Sequence, residues 1–395
     1  MKNILFTIVI FCALFLNTNA AVALLGFKQM LLTAYSPILI YIGIEIISQR
    51  INWSSPANRM AKFILILAVF IIILKFCLGQ NYVKSVAYFL IIPMLISILL
   101  ETISTKKRKV LRNLVLAFFL LECGLAIFEQ QAHINLFDIK ELTEEEILYA
   151  SYESWEFRST ALAGHPLQNA MLTITIMSFI LVSDFKMWTK VFFFTLGYIA
   201  LLCFNARGAI IIATLFMVPY FLKQVWNAKI RGKWALKLGF AAIVLYIIHL
   251  VATTSLGGRL FNQGTILDGS AQTRLDVFEF YKYIDWQAIM WGNPDNYAYL
   301  MNKLGAGGVE NGVIVLVIYY GLFLTLFILP ALFCFQYKKL SIYPRFERLW
   351  LLAIFYLLGA MNPNLATPLI WIIWILAYYA FKAPYMPQPI KYHIK

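Results

Sequence analysis

The chain has 395 residues, 62% of them hydrophobic and 13% charged, with a mean hydropathy of +0.76. Soluble globular chains carry about 25% charged residues, so no single water-soluble core can absorb this apolar surface, and lipid must solvate most of it. The net charge of +14 falls in short clusters between apolar runs, which excludes the continuous basic face of a nucleic-acid binder and is how topology is written in membrane proteins.

The expected fold is therefore all-α: one polytopic membrane domain over 1–395, with about twelve transmembrane helices of roughly 20 apolar residues each. In chain order the runs centre on Ile4–Leu16, Met30–Ile47, Phe63–Cys77, Val86–Leu100, Leu114–Phe128 and Asn169–Val182. They continue with Val191–Phe204, Ala209–Leu222, Leu236–Thr253, Val313–Phe335, Leu349–Ala360 and Leu369–Phe381. The first run has a competing reading as a secretory signal, with Lys2 before a short apolar core and Thr18-Asn19-Ala20 as a cleavage site. Cys12, Cys77, Cys123, Cys203 and Cys334 all fall inside apolar runs without a CxxC pair, so they read as small buried hydrophobes and not as a disulfide or metal framework.

Every second connection is basic. Arg50, Arg59 and Lys62 follow the second run, Lys106 to Lys109 and Arg112 the fourth, and Lys186 and Lys190 the sixth. Lys223, Lys229, Arg231, Lys233 and Lys237 follow the eighth, Lys338, Lys339, Arg345 and Arg348 the tenth, and Lys382, Lys391 and Lys395 the last. These connections are expected in the cytoplasm together with both termini. Lys75 and Lys84, beside a short outer connection, are expected to snorkel to the headgroups. Two outer loops are long, 129–162 and 255–309; the first is acidic and the second carries Arg259, Arg274 and many aromatic residues. Connections of that length are functional or have structure of their own. Ala271–Met290 is expected to form an amphipathic helix with Leu275, Phe278 and Ile284 on or near one face. The surrounding aromatic rings suit either the membrane interface or the faces of sugars.

Charged residues at the outer ends of the runs are the candidates for chemistry. Arg207, in Phe204-Asn205-Ala206-Arg207-Gly208, starts the eighth run, where a helix dipole and unpaired N–H groups already favour an anion and a guanidinium adds a fork that suits phosphate. Touching lipid headgroups is the plain alternative for that arginine. Arg259 and Arg274 taken singly read as solvated surface charges. Glu310 with Asn311 opens the tenth run, as a dipole partner or as a general base. Arg158 and His165 flank a turn containing Gly164 and Pro166 that feeds the sixth run. Glu122 is an acid within the fifth run, a functional candidate by default or a hydrogen-bonding partner for a neighbouring helix. Together Arg158, His165, Arg207, Arg274 and Glu310 suit a diphosphate ligand whose lipid tail stays in the bilayer. No aspartate-rich or His/Cys motif calls for a metal or other cofactor.

Three stretches resemble the O-antigen ligase and Wzy-type polysaccharide polymerase superfamily of bacterial membrane glycosyltransferases. They are Asn205-Ala206-Arg207-Gly208, Ser270-Ala271-Gln272-Thr273-Arg274, and Glu310-Asn311 followed after a nine-residue spacer by Gly321. The Gly164-His165-Pro166 turn is similar to one that precedes the family's middle helices. The resemblance implies an inner-membrane enzyme with its active site at the periplasmic face. It also implies undecaprenyl-diphosphate-linked oligosaccharide as donor and acceptor, and it leaves room for chain-length regulator and flippase proteins as partners. Arg207, Arg274 and Glu310 would be catalytic, and Arg158, His165, Arg259 and Asn311 would bind substrate. Ligases carry histidine where this chain has Glu310, and Leu324 replaces a small or polar residue, so the resemblance favours a polymerase over a ligase acting on lipid A core. A flippase of lipid-linked oligosaccharide is the reading from another class.

Overall fold

A computed structural model describes residues 2–16, 18–25, 30–48, 51, 53, 55–137, 157–227, 232–253, 277–304 and 309–382. Arg259, Arg274, Leu275 and the acidic stretch from Glu141 to Glu156 lie outside the described residues. All regular structure among the described residues is helical. In chain order the helices are α1 (Lys2–Phe15), α2 (Asn19–Leu25), α3 (Met30–Ile47), α4 (Arg59–Cys77), α5 (Val83–Glu101), α6 (Thr105–Ala132), α7 (Pro166–Val182) and α8 (Met187–Phe204). They continue as α9 (Arg207–Trp226), α10 (Lys233–Thr253), α11 (Trp286–Trp291), α12 (Asp295–Leu304), α13 (Gly312–Tyr320), α14 (Leu322–Lys339), α15 (Arg345–Ala360) and α16 (Pro368–Phe381).

Among the described residues 6 helices are long and apolar enough to cross a membrane: α4, α5, α6, α8, α9 and α14. Apolar segments of α1, α3, α7, α10 and α16 are shorter. α7 and α16 form the centre of the bundle: Asn169 to Leu181 and Leu369 to Phe381 are buried throughout. A helix that is apolar all round belongs inside. Phe179 packs edge-on against Trp374, and Phe355 against Trp371, ring pairs that specify register beyond the area they bury.

The helices alternate in direction, and their two sets of ends differ in chemistry. At one end, here the basic end, Lys107 donates to the Tyr41 hydroxyl at 2.7 Å and lies 3.7 Å from Glu45, so α6 starts where α3 finishes. There also Lys339 sits 2.7 Å and Lys382 3.4 Å from Glu101, joining the ends of α14, α16 and α5. At the far end, Ala20 N–H donates to Leu162 O at 3.0 Å and Ser159 N–H to Cys203 O at 3.1 Å. The alternation of basic connections along the chain is thus matched by which ends meet.

Two helices widen locally into π turns, Ala87–Ile91 in α5 and Ala213–Met217 in α9. Each is followed two residues later by a proline, Pro93 and Pro219. A proline lacks the N–H for the i−4 carbonyl and its ring crowds that carbonyl, so the preceding turn opens to a wider spacing.

Several expectations need correction. The tenth run is not one span: α13 and α14 are separate helices, broken at Gly321, whose φ is +87°. The expected helix over Ala271–Met290 appears, within the described residues, as a short 3₁₀ segment, Val277–Lys282, and as α11. Asp285 divides them because its carboxylate takes the Ala288 N–H at 2.9 Å as the cap of α11. Phe278 is exposed; the buried side chain of that segment is Val277. Lys75 does not snorkel and is fully buried. Cys12, Cys123 and Cys203 are buried, but Cys77 and Cys334 face outward on their helices.

Candidate functional site at the far end

The turn between α15 and α16 organises the far end. Asn362 caps a 3₁₀ turn, Pro363–Ala366, by accepting the Asn364 N–H at 2.9 Å. α7, α13 and α15 all pack on this turn, and the first turn of α9 packs on α7 and α15. A narrow crevice between them is bordered by Leu167, Ala170, Ala206, Gly208, Met361 and Asn362. The start of α13 presses in so closely that a Cβ at Gly312 would lie 2.8 Å from the Asn362 carbonyl oxygen.

Arg207 is the first residue of α9, as its position after a chain reversal predicts. Asn205 ends α8 in the left-handed region at φ +50°, Ala206 is extended, and the helix restarts at Arg207. Gly208 meets Met361, where an added Cβ would stand 3.0 Å from Cε. Glu310 directly precedes Asn311, the N-cap of α13, whose side-chain oxygen accepts from Val313 N at 3.0 Å and Ile314 N at 3.1 Å. Asn311 therefore has its side-chain carbonyl engaged in capping α13. Three helix N-termini, those of α7, α9 and α13, thus gather around residues 361–366, and each brings the positive end of a dipole, although Asn311 already takes the Val313 and Ile314 N–H groups of α13.

Arg158 and His165 are brought to the same rim by a polar scaffold hidden from inspection of any one motif. Glu129, fully buried at the end of α6, accepts from Ser159 Oγ at 2.5 Å, Ala161 N at 2.8 Å, Thr160 N at 2.9 Å and Leu136 N at 2.9 Å. Two turns deeper, Glu122 accepts from Leu162 N at 3.2 Å. Asn169 accepts from Ala163 N at 3.1 Å and donates to the Thr160 carbonyl. Two carboxylates and an amide thus replace the hydrogen bonds that the loop before α7 cannot make in a helix or sheet. Gly164 follows at φ +71°, packed so tightly that a Cβ there would lie 2.6 Å from the Asn19 Cβ. The chain then delivers His165 as the extended residue before Pro166 opens α7. His165 is reached by solvent. Partial enclosure by the surrounding protein, with the neighbouring Arg158 charge adding to it, lowers the imidazole from its ordinary value toward about 4, and contact with solvent on the exposed side limits that shift. Arg158 Nε donates to the Phe204 carbonyl at 3.3 Å, tying the loop to the end of α8.

The sequence reading missed Lys75. Its ammonium donates to the carbonyls of Trp291 and, at 3.3 Å, Gly292, and to the Gln80 side chain at 3.2 Å, while resting 4.3 Å from the Tyr82 ring centroid. This clamp holds α11 against the α13–α14 break. There Gly292 and Gly321 touch backbone to backbone, and Asn293 N–H reaches Ile318 O at 2.8 Å. The 216 residues between Lys75 and Trp291 hide the pairing from any local pattern. α13 accordingly runs from the end of α15, where Gly312 faces Gly359, to the end of α4. It is a cross-bar over the far end, about 13 Å long at 1.5 Å per residue. Val277 and Leu300 of the outer segment cover it, in one cluster with Val309, Ile314 and Ile318. Tyr281, Tyr283, Trp286 and Tyr299 are exposed around it.

The described part of the site thus brings the starts of α7, α9 and α13 to one turn, with Arg207 first in α9, Glu310 just before the cap of α13, and Arg158 and His165 on the loop leading into α7. The chain matches no protein-family model and no curated protein sequence.

Proposed function

We propose that this protein is a membrane glycosyltransferase of the polysaccharide polymerase type. It transfers a glycan from an undecaprenyl-diphosphate carrier to a sugar hydroxyl of another lipid-linked repeat unit. The observation that carries the reading is the gathering of three helix N-termini, with Arg207 first in α9 and Glu310 just before the cap of α13, at the end of the bundle opposite the basic clusters. By the charge bias of the connections that end is periplasmic in an inner-membrane protein.

In this reading the acceptor hydroxyl attacks the anomeric carbon and the bond to the diphosphate breaks. The hydroxyl proton passes to Glu310 as general base. Charge developing on the diphosphate is held by Arg207 and by Arg274 from the outer loop, assisted by the helix dipoles. Arg259, Arg158, His165 and Asn311 would bind the sugar or phosphate groups around it, with exposed aromatic rings stacking on glycans. A ligase would use the same centre with lipid A core as acceptor. For transport of lipid-linked oligosaccharide, Glu122 is the residue with most to offer, and its engagement with Leu162 N–H gives it an ordinary folding role instead.

The test is gel analysis of surface glycan after deletion of the gene and its restoration with Arg207→Ala or Glu310→Gln. Loss of long chains while single repeat units still reach the surface supports polymerisation. Chain lengths like those of the unaltered protein in both variants would refute it. Accumulation of full-length glycan on its lipid carrier would point to the ligase, and absence of any outward-facing lipid-linked glycan to transport.

A further inference from the structure

At the basic end, away from the site above, α14 and α16 and the turns beside them enclose a cavity of about 360 Å³. One wall carries Lys338, Lys339, Arg348 and Lys382 against the single carboxylate of Glu101, an excess of three positive charges. Pro56, Ala57, Met60 and Ile342 form the apolar remainder, and Ile342 is also exposed on the outside of the bundle.

Three of these four cations are built into the fold, and Lys338 is exposed at the rim of the cavity. Lys339, its side chain only 5% exposed, lies 2.7 Å from Glu101 and donates to the Tyr379 hydroxyl at 2.8 Å. Lys382 shares the same carboxylate at 3.4 Å. Arg348 lies with its guanidinium 4.7 Å from the Tyr337 ring centroid and donates to the Ser341 and Tyr343 carbonyls at 3.3 and 3.4 Å. Charge that served topology alone would stand in solvent on flexible stems. Here it converges on one concavity, and a carboxylate shared by two ammonium groups cannot neutralise both.

We propose that this cavity binds the phosphate of an anionic phospholipid headgroup at the cytoplasmic surface. The phosphate lies against Lys338 and Lys382, and the glycerol end of the lipid against Met60 and Ile342. The apolar wall open to the outside of the bundle is what distinguishes a lipid from a soluble phosphate compound. The assignment is independent of the chemistry at the far end.

The test uses the full chain, delipidated in detergent, with phosphatidylglycerol, phosphatidylcholine and water-soluble glycerol 1-phosphate as probes. Native mass spectrometry reads retained lipid and thermal unfolding reads stabilisation. Phosphatidylglycerol should be retained in preference to phosphatidylcholine and raise the unfolding midpoint. Lys338→Gln with Lys382→Gln should weaken retention about thirty-fold, at roughly one kcal/mol for each lysine near an anionic headgroup. Lys338→Arg with Lys382→Arg should preserve it, which guards against misfolding of the neutral variant. Lys223→Gln with Lys237→Gln, which removes the same charge outside the cavity, should leave retention unchanged. Equal weakening by the two neutral pairs would overturn the proposal, because the charge would then act diffusely. Binding of glycerol 1-phosphate as tight as that of phosphatidylglycerol would overturn the assignment to a lipid.

Discussion

Replacing Glu129 isolates the scaffold that positions Arg158 and His165. Its two oxygens take four donors: Ser159 Oγ, Thr160 N and Ala161 N on Oε2, and Leu136 N on Oε1. Hydrogen bonds to a charged group contribute about 1.5–3 kcal/mol each. Entry of water and relaxation of the loop recover part of that, so Glu129→Ala should destabilise the fold by about 3–5 kcal/mol, the range for stranding buried polar partners. Glu129→Gln can keep the three donors of Oε2 on its amide oxygen. Its amino group then faces Leu136 N–H donor to donor, a loss of about 1–3 kcal/mol. The assay is thermal unfolding of the detergent-solubilised variants, together with the accessibility to a thiol reagent of a cysteine placed at Thr160, whose side chain is not one of the four donors. The alanine variant should unfold at a clearly lower temperature than the glutamine variant and label faster. Equal midpoints for the two variants, or an alanine variant indistinguishable from the parent, would refute the hydrogen-bond account.

Gly321→Ala should lower the yield of folded protein, since φ +87° is strained for a side chain and an added Cβ would lie 2.7 Å from Gly292 N; fluorescence-detected size exclusion reads the outcome. Lys75→Met keeps the stem but strands the Trp291 and Gly292 carbonyls, so proteolysis between Trp286 and Leu304 should accelerate while the rest of the bundle resists. Arg207→Lys should shorten surface glycan less than Arg207→Ala does, because charge remains but the planar fork is lost; gels of the restored strains measure this. His165 provides a pH test. Its folded pKa is lowered from its ordinary value near 6.5 toward about 4, by less than full burial would give because the ring meets solvent, so the unfolded chain binds the extra proton first. The histidine's contribution to stability is complete above about pH 6.5 and is lost as pH falls toward 4. His165→Asn should flatten the unfolding midpoint across that window, and an unchanged slope would exclude His165 as its source.

The membrane class and the alternation of helix ends were legible because both depend on patterns local to the chain: apolar length, and the positions of lysine and arginine. Arg207 at the start of α9 and Asn311 at the start of α13 were legible for the same reason, because a reversal before a helix leaves a sequence trace. Lys75 was misread, since hydropathy cannot distinguish an ammonium that leaves for the headgroups from one that finds carbonyls 216 residues away. Glu122 stood out only as an acid within an apolar run, and Glu129 did not stand out at all. Their use in satisfying a loop depends on packing between α6 and residues 159–163. The break at Gly321 was hidden inside an unbroken apolar run, and only the opposed Gly292 explains why the helix stops there.

The cross-bar α13 has a mechanical consequence. A rod of nine residues transmits a push from one tip to the other without bending appreciably. One tip abuts α11 through Gly321, and the other carries Glu310. Under the function proposed above, a glycan that displaced the aromatic segment at the first tip would shift the acid at the second, gearing occupancy of the outer segment to the placement of Glu310.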